Sequence, residues 1–129
     1  HIGIAVENLD EALEFYQNQL GLTMTGIEEV VDQKVSTAFI QINDINIELL
    51  TPTDPDSPIQ HFLAKRGKGI HHIALEVEDL EKALEELHNH GVKLIDNKPR
   101  IGAHNKKIAF IHPSATGGVL IELCESGPE

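Results

Sequence analysis

The sequence predicts an α+β chain made of two similar tandem modules, and three observations carry that prediction. Residues 1–18, HIGIAVENLDEALEFYQN, align with residues 72–89, HIALEVEDLEKALEELHN, at a constant offset of 71 with nine identities. Self-similarity at a fixed offset is the mark of a duplicated structural unit. Both copies open on an alternating apolar run and pass into an apolar stripe of helical period. Each half also ends on a matching tripeptide, Ile47-Glu48-Leu49 in the first and Ile121-Glu122-Leu123 in the second. The modules fall at about residues 1–52 and 70–125, joined by a connection over 53–69.

The alternation in His1 to Val6 and in His72 to Val77 reads as a strand by its period of two. A helix follows in each copy. Asn8 and Asp79 are suitable N-caps, and Glu11 completes a capping box in the first copy, where the second has Lys82. Leu9, Ala12, Leu13, Tyr16 and Leu20 form one helical face, and Leu80, Ala83, Leu84 and Leu87 repeat it. Gly21 and Gly91 supply the left-handed residue that ends each helix. Val35 to Ile42 and Ile45 to Leu50, flanking Asn43-Asp44, read as a hairpin. The second half answers with strands at Ile108 to His112 and Val119 to Cys124. The connection, broken by Pro52, Pro55 and Pro58, carries one short amphipathic helix over Ile59 to Arg66.

Composition narrows the function. With 129 residues and 40% hydrophobic content, the chain makes one compact folding unit or two small modules. No run of 18 apolar residues and no signal-like opening occurs, so a cytoplasmic protein without a membrane span is expected. The chain opens on His1 without a methionine, so a few residues are expected before it. A net charge of -11 argues against nucleic-acid or anionic-membrane partners. Yet seven of the ten Lys and Arg lie in two short stretches, 65–68 and 98–107, as a site for one anionic small molecule would have them. The single Cys124 excludes an intramolecular disulfide and a cysteine-based zinc site. No P-loop, GxGxxG or Ser-His-Asp order is present.

The duplication places one His on the first strand and one Glu on the last strand of each half. His1 and Glu48, like His72 and Glu122, alternate onto the face opposite their Ile and Leu neighbours. A carboxylate between apolar strand residues costs several kcal/mol to bury alone, on an order-of-magnitude basis, and a cation removes that cost. Two imidazoles and two carboxylates suit one divalent ion such as Co, Ni, Mn or Zn and leave positions for substrate. His71 points to the opposite strand face. His61, His88 and His90 fall on helical segments, and His104 and His112 lie where either could touch substrate.

These residues, together with DSPIQHFLAKRGKGIHHIALEV from Asp56 and IGAHNKKIAFIHPSATGGVLIEL from Ile101, resemble the methylmalonyl-CoA epimerase family of the vicinal oxygen chelate superfamily, the glyoxalase and bleomycin resistance group. The resemblance implies paired βαβββ modules that form a curved mixed sheet around a metal-binding cup, with metal ligands at His1, His72 and Glu122. A fourth ligand position, Gln in some members, is Glu48 here. The better-studied form of the family carries a separate glutamate base on an earlier strand, and the matching region, Ser36 to Ala38, has none. The implied reaction is interconversion of (2R)- and (2S)-methylmalonyl-CoA by proton exchange through an enolate; Glu48 and Glu122, the symmetric pair that the repeat supplies, are assigned as acid/base groups that also contact the metal. By the same resemblance Arg100, Gly102, Ala103, His104, Lys106 and Lys107 lie beside the thioester and CoA of an acyl-CoA substrate, and the protein is a homodimer. Glyoxalase I (lactoylglutathione lyase) and a metal-free small-molecule-binding protein of the same fold stand as alternatives.

Overall fold

The computed structural model describes residues 1–127 and divides into two compact units, residues 1–71 and 72 onward. In the first, β1 (Ile2–Ala5) leads into α1 (Leu9–Leu13), then β2 (Thr23–Val30), β3 (Val35–Ile42), β4 (Ile45–Pro52) and α2 (Pro58–Arg66). Its strands lie in the order β2-β3-β4-β1, antiparallel except where β1 runs parallel to β4. In the second, β5 (Gly69–Val77) is followed by α3 (Leu80–Asn89), β6 (Arg100–Ile101), β7 (Lys107–Ile111) and β8 (Ile121–Glu125). Here the order is β5-β8-β7-β6, with β5 parallel to β8 and the other pairs antiparallel. The expected βαβββ module is therefore present twice, in the same strand order.

Each helix covers one face of its own sheet. Leu13 packs with Val6, Ala38, Ile40 and Leu49, joined by Leu9, Ala12 and Tyr16. Leu80 and Leu84 pack with Ala109, Ile111 and Leu123. Both starts are capped: the Asn8 side chain accepts from the Glu11 N–H at 2.9 Å, and Asp79 accepts from the Lys82 N–H at 3.1 Å. Gly21 and Gly91 take φ of 74° and 76°, the left-handed termination their positions call for. Ser57 caps α2, with Pro58 at its first position. No helix among the described residues is long and apolar enough to cross a membrane.

One expectation changes, and one strand carries no mark in the sequence pattern. Leu20 does not belong to the α1 stripe and is 54% exposed. The reason is local: α1 widens into a π-helix over Glu14–Gln19, where the Leu20 N–H donates to the Phe15 carbonyl five residues back. That wider turn rotates Leu20 away from the sheet. β2 had no apolar period to announce it, because it carries Gly26, Glu28 and Glu29 where a strand pattern would show apolar residues. Its register against β3 also slips between Met24 and Gly26, so Met24 opposes Ile40 while Gly26 opposes Phe39.

The difference between the helical faces is measurable. Leu84→Ala, at a site 3% exposed, should cost about 2 to 5 kcal/mol, whereas Leu20→Ala should stay within about 0.5 kcal/mol. Urea unfolding midpoints with unchanged slopes would report both, and a large loss at Leu20 would contradict its outward placement.

Candidate functional site

Within the first unit the side face of β4 opposite α1 carries Glu48, only 7% exposed. Its Oε2 lies 3.1 Å from Nδ1 of His1, which precedes β1, the strand parallel to β4. The second unit repeats the pair on β5 and β8. His72 Nε2 lies 3.3 Å from Glu122 Oε1, with the two residues 4% and 5% exposed. Each carboxylate is thus withdrawn from water beside one imidazole. Every strand neighbour that flanks these acids, Ile47, Leu49, Ile121 and Leu123, packs on the helix side. Alternation along the strand therefore turns both glutamates to the other face, as their position between two apolar residues requires.

The donor chemistry fits a divalent ion. Neutral imidazole nitrogen and carboxylate oxygen, both buried, are the ligand types that borderline transition ions select. A buried acid whose nearest charge partner is a histidine is also a group whose desolvation a cation would offset.

A second set of contacts builds the surroundings of His72. The Phe110 ring stands edge-on to the His72 imidazole, with centroids 5.8 Å apart, and Phe110 opposes Glu122 in the β7–β8 register. The Arg100 guanidinium lies over the same ring at 5.7 Å. Arg100 opposes Ile108, which opposes Cys124, so Arg100 shares the strand face of Glu122. Asp96 holds this arrangement from the loop. Its Oδ2 accepts the Phe110 N–H at 2.9 Å and its Oδ1 lies 3.1 Å from Arg100 Nε. That Nε–H is not aligned on the carboxylate, so the contact acts as charge pairing rather than as a directed hydrogen bond. Asp96 and Phe110 escape a sequence reading; the only signals are the four-residue spacing of Asp96 and Arg100 and the position of Phe110 two residues from Ile108.

The loop after Arg100 is tight. The Gly102 N–H donates to the Lys106 carbonyl at 2.8 Å, and a side chain at Gly102 would meet Ile108 Cδ1 at 2.9 Å. Ala103 and His104 form a single 3-10 turn in which His104 takes φ 58° and is exposed, and Lys106 is half-buried. Lys107 departs from the substrate group named with it. It alternates to the face carrying α3, within 3.5 Å of Glu81 and 3.9 Å of Glu125. His112 is a turn cap whose Nδ1 accepts the Ser114 N–H, and His71 packs edge-on against Phe62. His61, His88 and His90 are exposed.

The pattern of the Glyoxalase/Bleomycin resistance protein/Dioxygenase superfamily matches residues 1–110. A Bacillus subtilis protein, YqjC, is 50% identical over 97% of this chain and 89% of its own length. The mitochondrial methylmalonyl-CoA epimerase of Dictyostelium discoideum is 42% identical over 97% of this chain and 76% of its own. Among solved structures, a variant Streptomyces coelicolor methylmalonyl-CoA epimerase in complex with 2-nitronate-propionyl-CoA superposes with a TM-score of 0.93 at 37% identity, covering 98% of this chain and 92% of that one. A lactoylglutathione lyase of Neisseria meningitidis stands further off, at 24% identity over 86% of this chain and 79% of its own.

The role of Asp96 can be read from stability. Asp96→Ala should cost about 1 to 3 kcal/mol, because it leaves the Phe110 N–H without its acceptor. Asp96→Asn retains a carbonyl there and should cost less. Chemical denaturation of the two variants provides the comparison, and equal losses would show that the hydrogen bond is not what Asp96 contributes.

Proposed function

This chain belongs to the methylmalonyl-CoA epimerase family of the Glyoxalase/Bleomycin resistance protein/Dioxygenase superfamily, and from that premise we propose that it interconverts (2R)- and (2S)-methylmalonyl-CoA. The observation that carries the reading is the duplicated buried pair, His1 with Glu48 and His72 with Glu122, standing at matched points of a repeat.

In this proposal the four side chains hold one divalent ion, of the Co, Ni, Mn or Zn type. When bound, such an ion supplies Lewis-acid stabilisation of the negative charge that develops on the thioester oxygen as the α-proton leaves. The protein does the rest. Arg100, held over Phe110 by Asp96, offers a fixed positive charge to the anionic substrate on the face of Glu122. The loop of Gly102, Ala103, His104 and Lys106 presents backbone and cationic groups to the CoA arm. Inversion needs proton acceptors on opposite faces of the α-carbon. Glu122 serves one, and Glu48 is the acid to which the repeat points for the other.

Subunit association belongs to the same reading. Ile73 and Leu75 on β5 stay exposed on the face that α3 covers further along the sheet, and a second copy of the chain would bury them. The same reading puts the protein in the cytoplasm, a location supported by its 40% identity to the bacterial epimerase of Cereibacter sphaeroides.

Deuterium exchange tests the proposal. In D2O the protein should introduce solvent deuterium at C2 of methylmalonyl-CoA, lose that ability on chelation and regain it on adding back one of the four metals. Ion binding at one hundred times its Kd should also raise stability by about 2.7 kcal/mol, seen as a higher melting temperature. Thioester formation from methylglyoxal and glutathione, without exchange into methylmalonyl-CoA, would instead favour the lactoylglutathione lyase reading.

A further inference from the structure

The first unit has a second carboxylate on the face of Glu48, and the strand that brings it there is irregular in a way that aims it. Up to Met24, β2 pairs so that Met24 opposes Ile40 and packs against the α1 core. Continued regularly, that register would set Glu28 opposite Ser36, on the α1 side. The slip between Met24 and Gly26 advances the pairing by one residue, and Glu28 opposes Thr37 instead. A one-residue change of register exchanges the faces of every side chain beyond it. Bulges recur next to active sites because they re-aim side chains in this manner. The Thr25 hydroxyl, donating to the Phe39 carbonyl at 3.4 Å, bridges the strands at the irregularity.

Ile27, opposite Ala38, goes to the α1 side and is 53% exposed there, while the acid Glu28 is half-buried on the other face. The face that Glu28 joins is defined by the ladder: Glu48 opposes Phe39, and Leu50 opposes Thr37, which opposes Glu28. Thr37 and Phe39, which oppose the two acids, are 1% and 3% exposed. By standard strand spacing, Glu28 and Glu48 stand about 10 Å apart across the sheet and about 7 Å apart along it at Cα, on one face.

Glu48 lies beside His1 at 3.1 Å as Glu122 lies beside His72 at 3.3 Å, so what singles out the first unit is that it carries Glu28 as a second acid on the same face. We infer that Glu28 is the proton-transferring group of the first unit, with Glu48 kept as a holder of the ion. This rests on the epimerase reading and revises only which carboxylate serves that face. The step balances within the enzyme. Glu28 takes the α-proton while the C–H electron pair enters the enolate, and Glu122 delivers a proton to the other face; the reverse direction exchanges the roles.

The experiment follows deuterium entry separately from (2R)- and (2S)-methylmalonyl-CoA. Glu28→Gln should lower exchange by about 100-fold or more from one epimer only, leaving the other within a few-fold of wild type. Metal content and melting temperature should be unchanged. Glu28→Asp, which keeps the charge but withdraws it by one methylene, should give an intermediate rate for the same epimer. Glu29→Gln, on the opposite strand face, should exchange both at the wild-type rate. Undiminished exchange from both epimers in Glu28→Gln would overturn the assignment, as would equal loss from both accompanied by loss of metal. A wild-type protein that exchanges neither epimer with any of the four metals would remove the epimerase reading itself, and the role of Glu28 with it.

Discussion

An acid sunk into a β-sheet must be answered by an opposite charge or by a strong donor, and this requirement organises both halves of the molecule. Glu48 and Glu122 stand between branched apolar neighbours that the helices hold to one side, so the pleat forces each carboxylate to the other side and away from water. In each half the nearest response is an imidazole from the parallel strand. The parallel contacts of β1 with β4 and of β5 with β8 are what place that imidazole there. The remaining parts of the site are arranged around this constraint: the aromatic edge of Phe110 steadies His72, and Arg100 with Asp96 steadies Phe110.

Much of this is legible in the sequence, because the information is local and repeated. A period of two at His1 to Val6, a period of 3.6 from Leu9 and a glycine at the end of each helix are statements about neighbours in sequence. The duplication supplied each of them a second time. The His and Glu pairs were legible for the same reason: alternation within Ile-Glu-Leu fixes a face irrespective of what lies beyond. The Asn43-Asp44 turn between β3 and β4 was equally plain, with β4 running two residues further than the apolar pattern suggested.

What escaped depends on partners distant in sequence. β2 reads as a polar stretch because its glycine and paired acids hide the alternation, and its slip is visible only against Ile40 and Phe39. Asp96 sits in a loop with no period, and its link to Phe110 spans 14 residues. Lys107, expected beside the substrate by resemblance, is carried by one residue of strand alternation to Glu81 and Glu125 on the helix side. Leu20 obeys the helical spacing that was assumed for it; the helix does not.

That widened turn also bears on how the two copies came to differ. Gly21 follows Leu9 by 12 positions, whereas Gly91 follows Leu80 by 11, so one copy carries an extra residue between the same two landmarks. In a uniform helix an extra residue would swing everything after it through about 100° and misdirect the next strand. Loosening one turn instead stores the surplus where it disturbs only Leu20, and the copy keeps its ending glycine and the entry of β2. A one-residue difference in length between the copies is absorbed inside a helix rather than passed on to the sheet that carries the chemistry.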